Sequence, residues 1–168
     1  MARNDLDAIF GRIDTLDGEI ATFVPVATKA IQFRADLAGL LVVAIAASYE
    51  SCVKETLISY AARHHLEFAV FAQNQFQKLN SRINLSDLFR YARNFGNPIH
   101  KKFSEVLNER KAKILLRTGK DFSKAYEQIL SWRHDFAHTG SRNTTIEEAM
   151  ATHRLAKRVL YAFDDGFN

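Results

Sequence analysis

The apolar positions along the chain recur at helical spacing, and no stretch alternates as a β-strand would. Residues 4–22 carry their apolar side chains on one stripe with acids beside it, which predicts an amphipathic first helix. A long helix is predicted over 29–64, and its first half is apolar nearly all round, as in the central helix of a bundle. Shorter helices are predicted over 66–79, 84–95 and 97–108.

The rest of the chain continues the pattern. Residues 108–120 are rich in Lys and Arg and are predicted to be an exposed connection, with helix continuing at most to Leu116. The next helix is predicted to run from Asp121 to Gly140, where the glycine ends it. A capping box at Thr145 then opens the last helix, which is predicted to reach Asp164. The sequence therefore predicts one all-α domain over residues 1–168, a HEPN-sized helical bundle of five to seven helices without linker or repeat.

Composition bounds the compartment. The chain of 168 residues is long enough for one domain with a sizeable core. Its single cysteine, Cys52, lies within an apolar helical pattern, so a buried structural thiol in a reducing cytoplasm is expected. Asp5 and Asp7 occupy the place where a signal peptide needs an apolar run. The longest apolar run, over 37–47, has 11 residues, against the roughly 20 that span a bilayer. We expect a cytoplasmic protein that does not contact a membrane.

Charge is concentrated in the middle of the chain. Residues 63–124 hold 13 Lys and Arg against 5 Asp and Glu, whereas the segments before and after are slightly acidic. Such a block suits a polyanion, because Lys and Arg contacts to phosphates release counterions. It also suits a solvated helix surface, and charge alone does not distinguish the two. The candidate nucleic-acid-binding residues are Lys111, Lys113, Arg117 and Lys120.

The chemically distinctive stretch is Trp-Arg-His-Asp-Phe-Ala-His-Thr-Gly at residues 132–140. Arg133 offers a permanent cation in a planar fork that matches phosphate oxygens, and histidines exchange protons near neutral pH. His134 and His138 are four residues apart and share a helix face. Arg133 and His138 are separated by about 140° around an ideal helix and about 7.5 Å along it. These two residues need not meet within one chain, and a second helix end from a symmetry mate could bring them together.

Two other interpretations of this stretch involve no catalysis. Cations are favoured near a helix C-terminus by the macrodipole, which would account for Arg133 and His138. The spacing of His134 and His138 also suits a zinc site, but the sequence shows no third ligand. No metal and no cofactor are therefore predicted.

The run from Arg133 to His138 resembles the Arg-polar-x-x-x-His signature of the HEPN superfamily, whose members include small all-helical prokaryotic ribonucleases. The flanks agree with this resemblance, which extends from about Phe33 to the end of the chain. The agreeing segments are the Ala-His-Thr-Gly run at 137–140, the helix start at 145–148, and the segment 46–54, which is similar to a helix with a conspicuous glutamate in relatives of the RiboL-PSP type. In this chain that glutamate is Glu50.

The resemblance implies a metal-independent endoribonuclease. In such enzymes the ribose 2′-OH attacks the adjacent phosphorus, which leaves 2′,3′-cyclic phosphate and 5′-OH ends and spares DNA. The implied catalytic residues are His138 as the principal acid or base, Arg133 as the phosphate-binding residue, and His134 in a supporting proton-transfer or orienting role. Glu50 and Asp135 are supporting candidates. The site in this family is usually composite across a two-fold dimer, so a homodimer is implied.

The resemblance also implies RNA as the substrate, and a role as a toxin of a toxin–antitoxin pair or as an effector of anti-phage defence, restrained by a cognate antitoxin or inhibitor protein. The main alternative is a HEPN-like dimer with little catalysis that binds nucleic acid or a partner protein. A binding module would keep its RNA affinity without cleaving RNA. A purely structural helical adaptor would show no salt-sensitive RNA binding at all.

Overall fold

The computed structural model describes residues 3–24, 26, 30–77, 79 and 82–168. This part of the chain forms helices and no strands, so the all-α prediction is confirmed. The helices are α1 (Arg3–Phe23), α2 (Ile31–His64), α3 (Leu66–Phe76), α4 (Leu85–Asn94), α5 (Asn97–Thr118), α6 (Phe122–Thr139), α7 (Ile146–Ala156) and α8 (Arg158–Phe167). Lys157 alone separates the last two, which together make one interrupted helix. Lys29, the predicted start of α2, lies outside the described residues.

The ends of the motif helix α6 lie where the sequence predicts them. The carboxylate of Asp121 accepts a hydrogen bond from the Ser123 amide at 2.9 Å and caps the first turn. At the other end Gly140 adopts a left-handed conformation with φ 66°, which closes the helix. Thr145 caps α7 by accepting from the Glu148 amide at 3.1 Å. The stretch that carries the motif is therefore a regular helix held at both ends.

The prediction for residues 108–120 was wrong. They do not form an exposed connection, because α5 continues without interruption to Thr118 and ends at Gly119, where φ is 67°. Leu107 and Ile114 are buried, and their spacing of seven residues gives this charged segment an apolar face to pack. Its Lys and Arg residues occupy the remaining faces of an amphipathic helix, so a composition typical of a loop was compatible with helix.

Two other predicted helix ends also differ. The last helix is interrupted at Lys157 and reaches Phe167, whereas the sequence predicted an unbroken helix to Asp164. The third helix ends at Phe76 and does not reach Leu79. None of these differences lies within the motif helix.

Helix α2 is the centre of the bundle and packs against α1, α3, α6, α7 and α8. Leu41, Val42 and Ile45 are fully buried along one side of it, and each such side chain contributes about 1.5–3 kcal/mol to stability through burial. The opposite side is not covered, since Phe33 is 57% and Leu40 56% exposed. The all-round apolar pattern therefore predicted a fully buried helix where the structure has a half-covered one. By length and composition alone, α2 would also be able to cross a membrane.

A buried polar cluster joins α2, α6 and α7 behind the motif. The Tyr49 hydroxyl lies 2.9 Å from Nδ1 of His153, and the ring of Tyr49 stacks on that of Tyr126 at 5.2 Å. The Tyr126 hydroxyl donates to the carbonyl oxygen of Ile83 at 2.6 Å. Burial lowers the pKa of His153 to about 4, so this imidazole is neutral at neutral pH. The cluster fixes the segment before α4 against the helices that carry the motif.

Candidate active site

An open groove of about 720 Å³ lies between α2, α6 and the segment that leads into α4. Arg133, His134 and His138 all line this groove. The helix angles left it undecided whether Arg133 and His138 meet within one chain, and the structure brings both to the same concavity. A single protomer therefore supplies the complete motif on one side of a pocket whose size is typical of ligand sites.

The motif side chains are available to a ligand. The rings of His134 and His138 lie 4.4 Å apart between centroids, as expected from their spacing on one face, and both residues are exposed. Within the described part of the chain, the side chains of Arg133, His134 and His138 make no hydrogen bond and no ion pair. Two imidazoles and a guanidinium thus face the groove without protein partners that would neutralise or cover them.

Phe136 explains how α6 is held in this orientation. It lies between the two motif histidines in sequence, and its ring packs directly on Gly39 of α2. A Cβ atom at position 39 would lie 2.1 Å from ring carbons of Phe136, so only glycine allows this approach. The sequence analysis missed Gly39. A glycine inside a strongly apolar helix was the available signal, because that pattern often marks a close approach of another element.

Glu50 lies in the groove, as its predicted supporting role requires. Its carboxylate forms an ion pair with Lys54 at 2.9 Å, one turn along α2, and not with a motif side chain. The orienting role of Glu50 stays a prediction. The pairing with Lys54 makes it a carboxylate at the rim of the groove whose charge is largely balanced.

Asp135 is not brought into the groove. Its carboxylate accepts a hydrogen bond from the side-chain amide of Asn143 at 3.3 Å, and its carbonyl oxygen accepts from the Thr139 hydroxyl at 2.6 Å. Asp135 follows His134 by one position and is therefore rotated by about 100° around the helix. The residue connects the end of α6 to the loop before α7, which does not fit the predicted supporting role.

Three further polar residues line the groove and were not predicted from the sequence: Asn84, Glu127 and Ser131. Asn84 caps α4 by accepting from the Asp87 amide at 2.9 Å. Glu127 accepts from the Leu85 amide at 2.8 Å, which ties α6 to the start of α4. These bonds fix the wall of the groove opposite α2.

The structure separates the four basic residues proposed to bind nucleic acid. Lys111 pairs with Asp121 at 2.9 Å and lines a concavity that shares Glu127 and Ser131 with the motif groove. Lys113 and Arg117 line a different concavity, between α5 and α8. Lys120 is exposed in the short connection after α5. Only Lys111 therefore lies beside an extension of the motif groove.

The described residues contain no group of three or more His, Cys, Asp and Glu side chains that could hold a metal ion. Cys52 is buried, and burial raises the pKa of its thiol to about 12, so this residue is not a nucleophile at neutral pH. What the groove offers is proton transfer by imidazole and charge stabilisation by guanidinium.

No curated protein and no solved structure matches this chain at a significant level. A family model described as RiboL-PSP-HEPN matches residues 12–168. Membership of this family suggests an RNA-related function of the nuclease type. The match begins within α1 and includes every helix that lines the groove, so the chain belongs to the RiboL-PSP-HEPN family of the HEPN superfamily.

Proposed function

We propose that this protein is a metal-independent endoribonuclease that cleaves RNA by attack of the ribose 2′-OH. The observation that carries the proposal is the convergence of Arg133, His134 and His138 on one open groove, with their polar atoms unpaired in the described structure. These are the groups that the reaction needs: a base, an acid and a fixed cation.

The reaction uses the groove as follows. His138 takes the proton from the 2′-OH, and the 2′ oxygen forms a bond to phosphorus. The bond from phosphorus to the 5′ oxygen breaks, and this oxygen receives a proton from a second imidazole, for which His134 is the nearest group. Arg133 binds the non-bridging oxygens, whose negative charge grows in the transition state. The products are a 2′,3′-cyclic phosphate and a 5′-OH.

The experiment is cleavage of a pool of tRNA and mRNA by the purified protein in EDTA, with the ends of the fragments mapped. We expect cyclic phosphate ends on RNA and no cleavage of DNA or of oligonucleotides with 2′-deoxyribose throughout. Cleavage that EDTA abolishes, or cleavage of DNA, would refute the mechanism. Salt-sensitive RNA binding by a folded protein that cleaves nothing would favour the binding module.

The proposal includes a homodimer in which a second copy completes the site. Phe33, Leu40 and Ala47 are seven residues apart on α2 and form an apolar strip on one face, and all three are exposed. Ala47 also lines the motif groove, so the strip leads directly to its rim. A second copy packed on this strip would bury it and place its own motif across the groove.

Replacing Leu40 with Glu is expected to convert the dimer to a monomer, because it places a charge in the middle of the apolar strip. Light scattering after size-exclusion chromatography would measure the change, and RNA cleavage should fall with it. Leu116→Glu is the matched control, since Leu116 is 91% exposed at the end of α5 and lies outside the strip. A monomeric wild type, or a monomeric Leu40→Glu with full activity, would disprove the composite site.

The biological part of the proposal rests on the family. An RNase with an open groove has to be restrained in the cell that makes it. The proposed role is therefore that of a toxin or an anti-phage effector in the cytoplasm, with a cognate antitoxin or inhibitor protein that covers the groove.

A further inference from the structure

A second concavity, of about 440 Å³, lies between the C-terminal half of α5 and the start of α8. Arg110, Lys113 and Arg117 from α5 and Arg158 from α8 line it, with Ile114 and Tyr161 as its less polar wall. None of these residues lines the motif groove. We name this feature the α5–α8 cavity.

The cations of the α5–α8 cavity are only partly neutralised. Arg110 forms an ion pair with Asp165, and Lys113 pairs with Glu109 along α5. Arg117 and Arg158 are exposed and form no ion pair or hydrogen bond through their side chains within the described part of the chain. The Tyr161 hydroxyl donates to the Asp7 carboxylate at the edge of the cavity. Two guanidinium groups from two different helices therefore remain without a protein partner.

Helix electrostatics accounts for one of these two arginines but not for the other. Arg117 lies in the last turn of α5, where the partial negative charge of the helix end favours a cation. Arg158 is the first residue of α8, where the macrodipole disfavours a cation, and it faces the positive charges of α5. The cavity thus holds a cation in a position that is unfavourable until an anion is present.

We propose that the α5–α8 cavity is a binding site for a phosphoryl group, held between Arg117 and Arg158. Guanidinium groups bind phosphate oxygens through two parallel hydrogen bonds, and an arginine from each helix can approach the group from opposite sides. Lys113 adds a third donor. The cavity lies within the range of about 300–1,000 Å³ typical of small-ligand sites, and Ile114 and Tyr161 give it a wall for a base or sugar. This inference does not depend on the proposed nuclease activity.

The phosphoryl group can come from a free nucleotide or from an RNA strand. Isothermal titration of the full chain at low ionic strength with inorganic phosphate, with AMP and with a 2′-O-methyl RNA that cannot be cleaved would separate the two sources. We expect AMP to bind, and Arg117→Gln and Arg158→Gln each to weaken its binding by at least about tenfold, the loss typical for one charged hydrogen-bonding group. Lys102→Gln is the control, because Lys102 is an exposed cation on α5 that does not line the cavity.

Thermal unfolding gives a second readout. Ligand that binds the folded state raises Tm by mass action, so AMP should raise the Tm of the wild type and of Lys102→Gln but not of the two arginine variants. Without ligand, Arg158→Gln should be at least as stable as the wild type, because it removes a cation from the start of α8. If RNA alone binds and both arginine variants weaken it, the group comes from a strand. A wild type that binds none of the three, or variants that bind as the wild type does, would overturn the proposal.

Discussion

Replacing His138 with Ala is expected to lower the rate constant of RNA cleavage by about 10²–10⁴-fold, the range for loss of a general acid or base. The fold should survive, because His138 is exposed and its side chain makes no hydrogen bond within the described structure. Surface substitutions of this kind change stability by no more than about 0.5 kcal/mol. Single-turnover cleavage of a short RNA, with cyclic phosphate ends quantified, would measure the change.

Arg133→Ala is the companion experiment. It should lower the rate constant by about 10²–10³-fold, the loss typical for a group that stabilises transition-state charge. Arg133→Lys keeps the charge but loses the planar fork, so it should recover only part of the rate. RNA affinity, measured with a substrate that cannot be cleaved, should change much less than the rate in the His138 variant.

Asp135→Asn is the matched control in the same helix. Its carboxylate faces Asn143 and not the groove, so cleavage should stay near the wild-type rate. Activity that persists in both the Arg133 and the His138 variants would show that the reaction takes place elsewhere. Loss of activity in Asp135→Asn would contradict the orientation of α6 described above.

The sequence predicted the motif helix well because its signals are local. Asp121 and Gly140 end the helix through caps that depend on only a few neighbouring residues. The apolar positions of α6 follow the helical period, so its buried face could be read directly. Which side chains the motif shares a groove with depends on packing between distant helices, which local patterns do not encode. Glu127 and Asn84 were missed for this reason.

Composition misled the analysis where it was read without periodicity. The Lys- and Arg-rich end of α5 suggested a loop, although Leu107 and Ile114 gave it a helical apolar face. The same basic residues suggested one phosphate-binding surface. On a continuous helix they point in several directions, so Lys111 and Arg117 line different concavities.

The close approach of Phe136 to Gly39 gives the second large expected effect. Gly39→Ala places a methyl group where the ring lies, so the ring and the end of α6 must move. We expect a loss of about 1–3 kcal/mol in the free energy of unfolding, the usual result of overpacking. Cleavage should fall by as much as about 10²-fold, because misplacement of a catalytic group by roughly 1 Å has that effect. Chemical denaturation and single-turnover cleavage would measure the two losses.

Gly18→Ala is the control for the change of residue type, since nothing lies within 4 Å of a Cβ at that position in α1. It should be stabilising by up to about 1 kcal/mol, because alanine is the better helix former. Phe136→Leu should restore part of the stability in the Gly39→Ala background, and a double-mutant cycle would show the coupling. If Gly39→Ala were as stable and as active as the wild type, the ring of Phe136 would have room to move without the motif. The position of His134 and His138 would then depend on the rest of α6, and Gly39 would have no part in it.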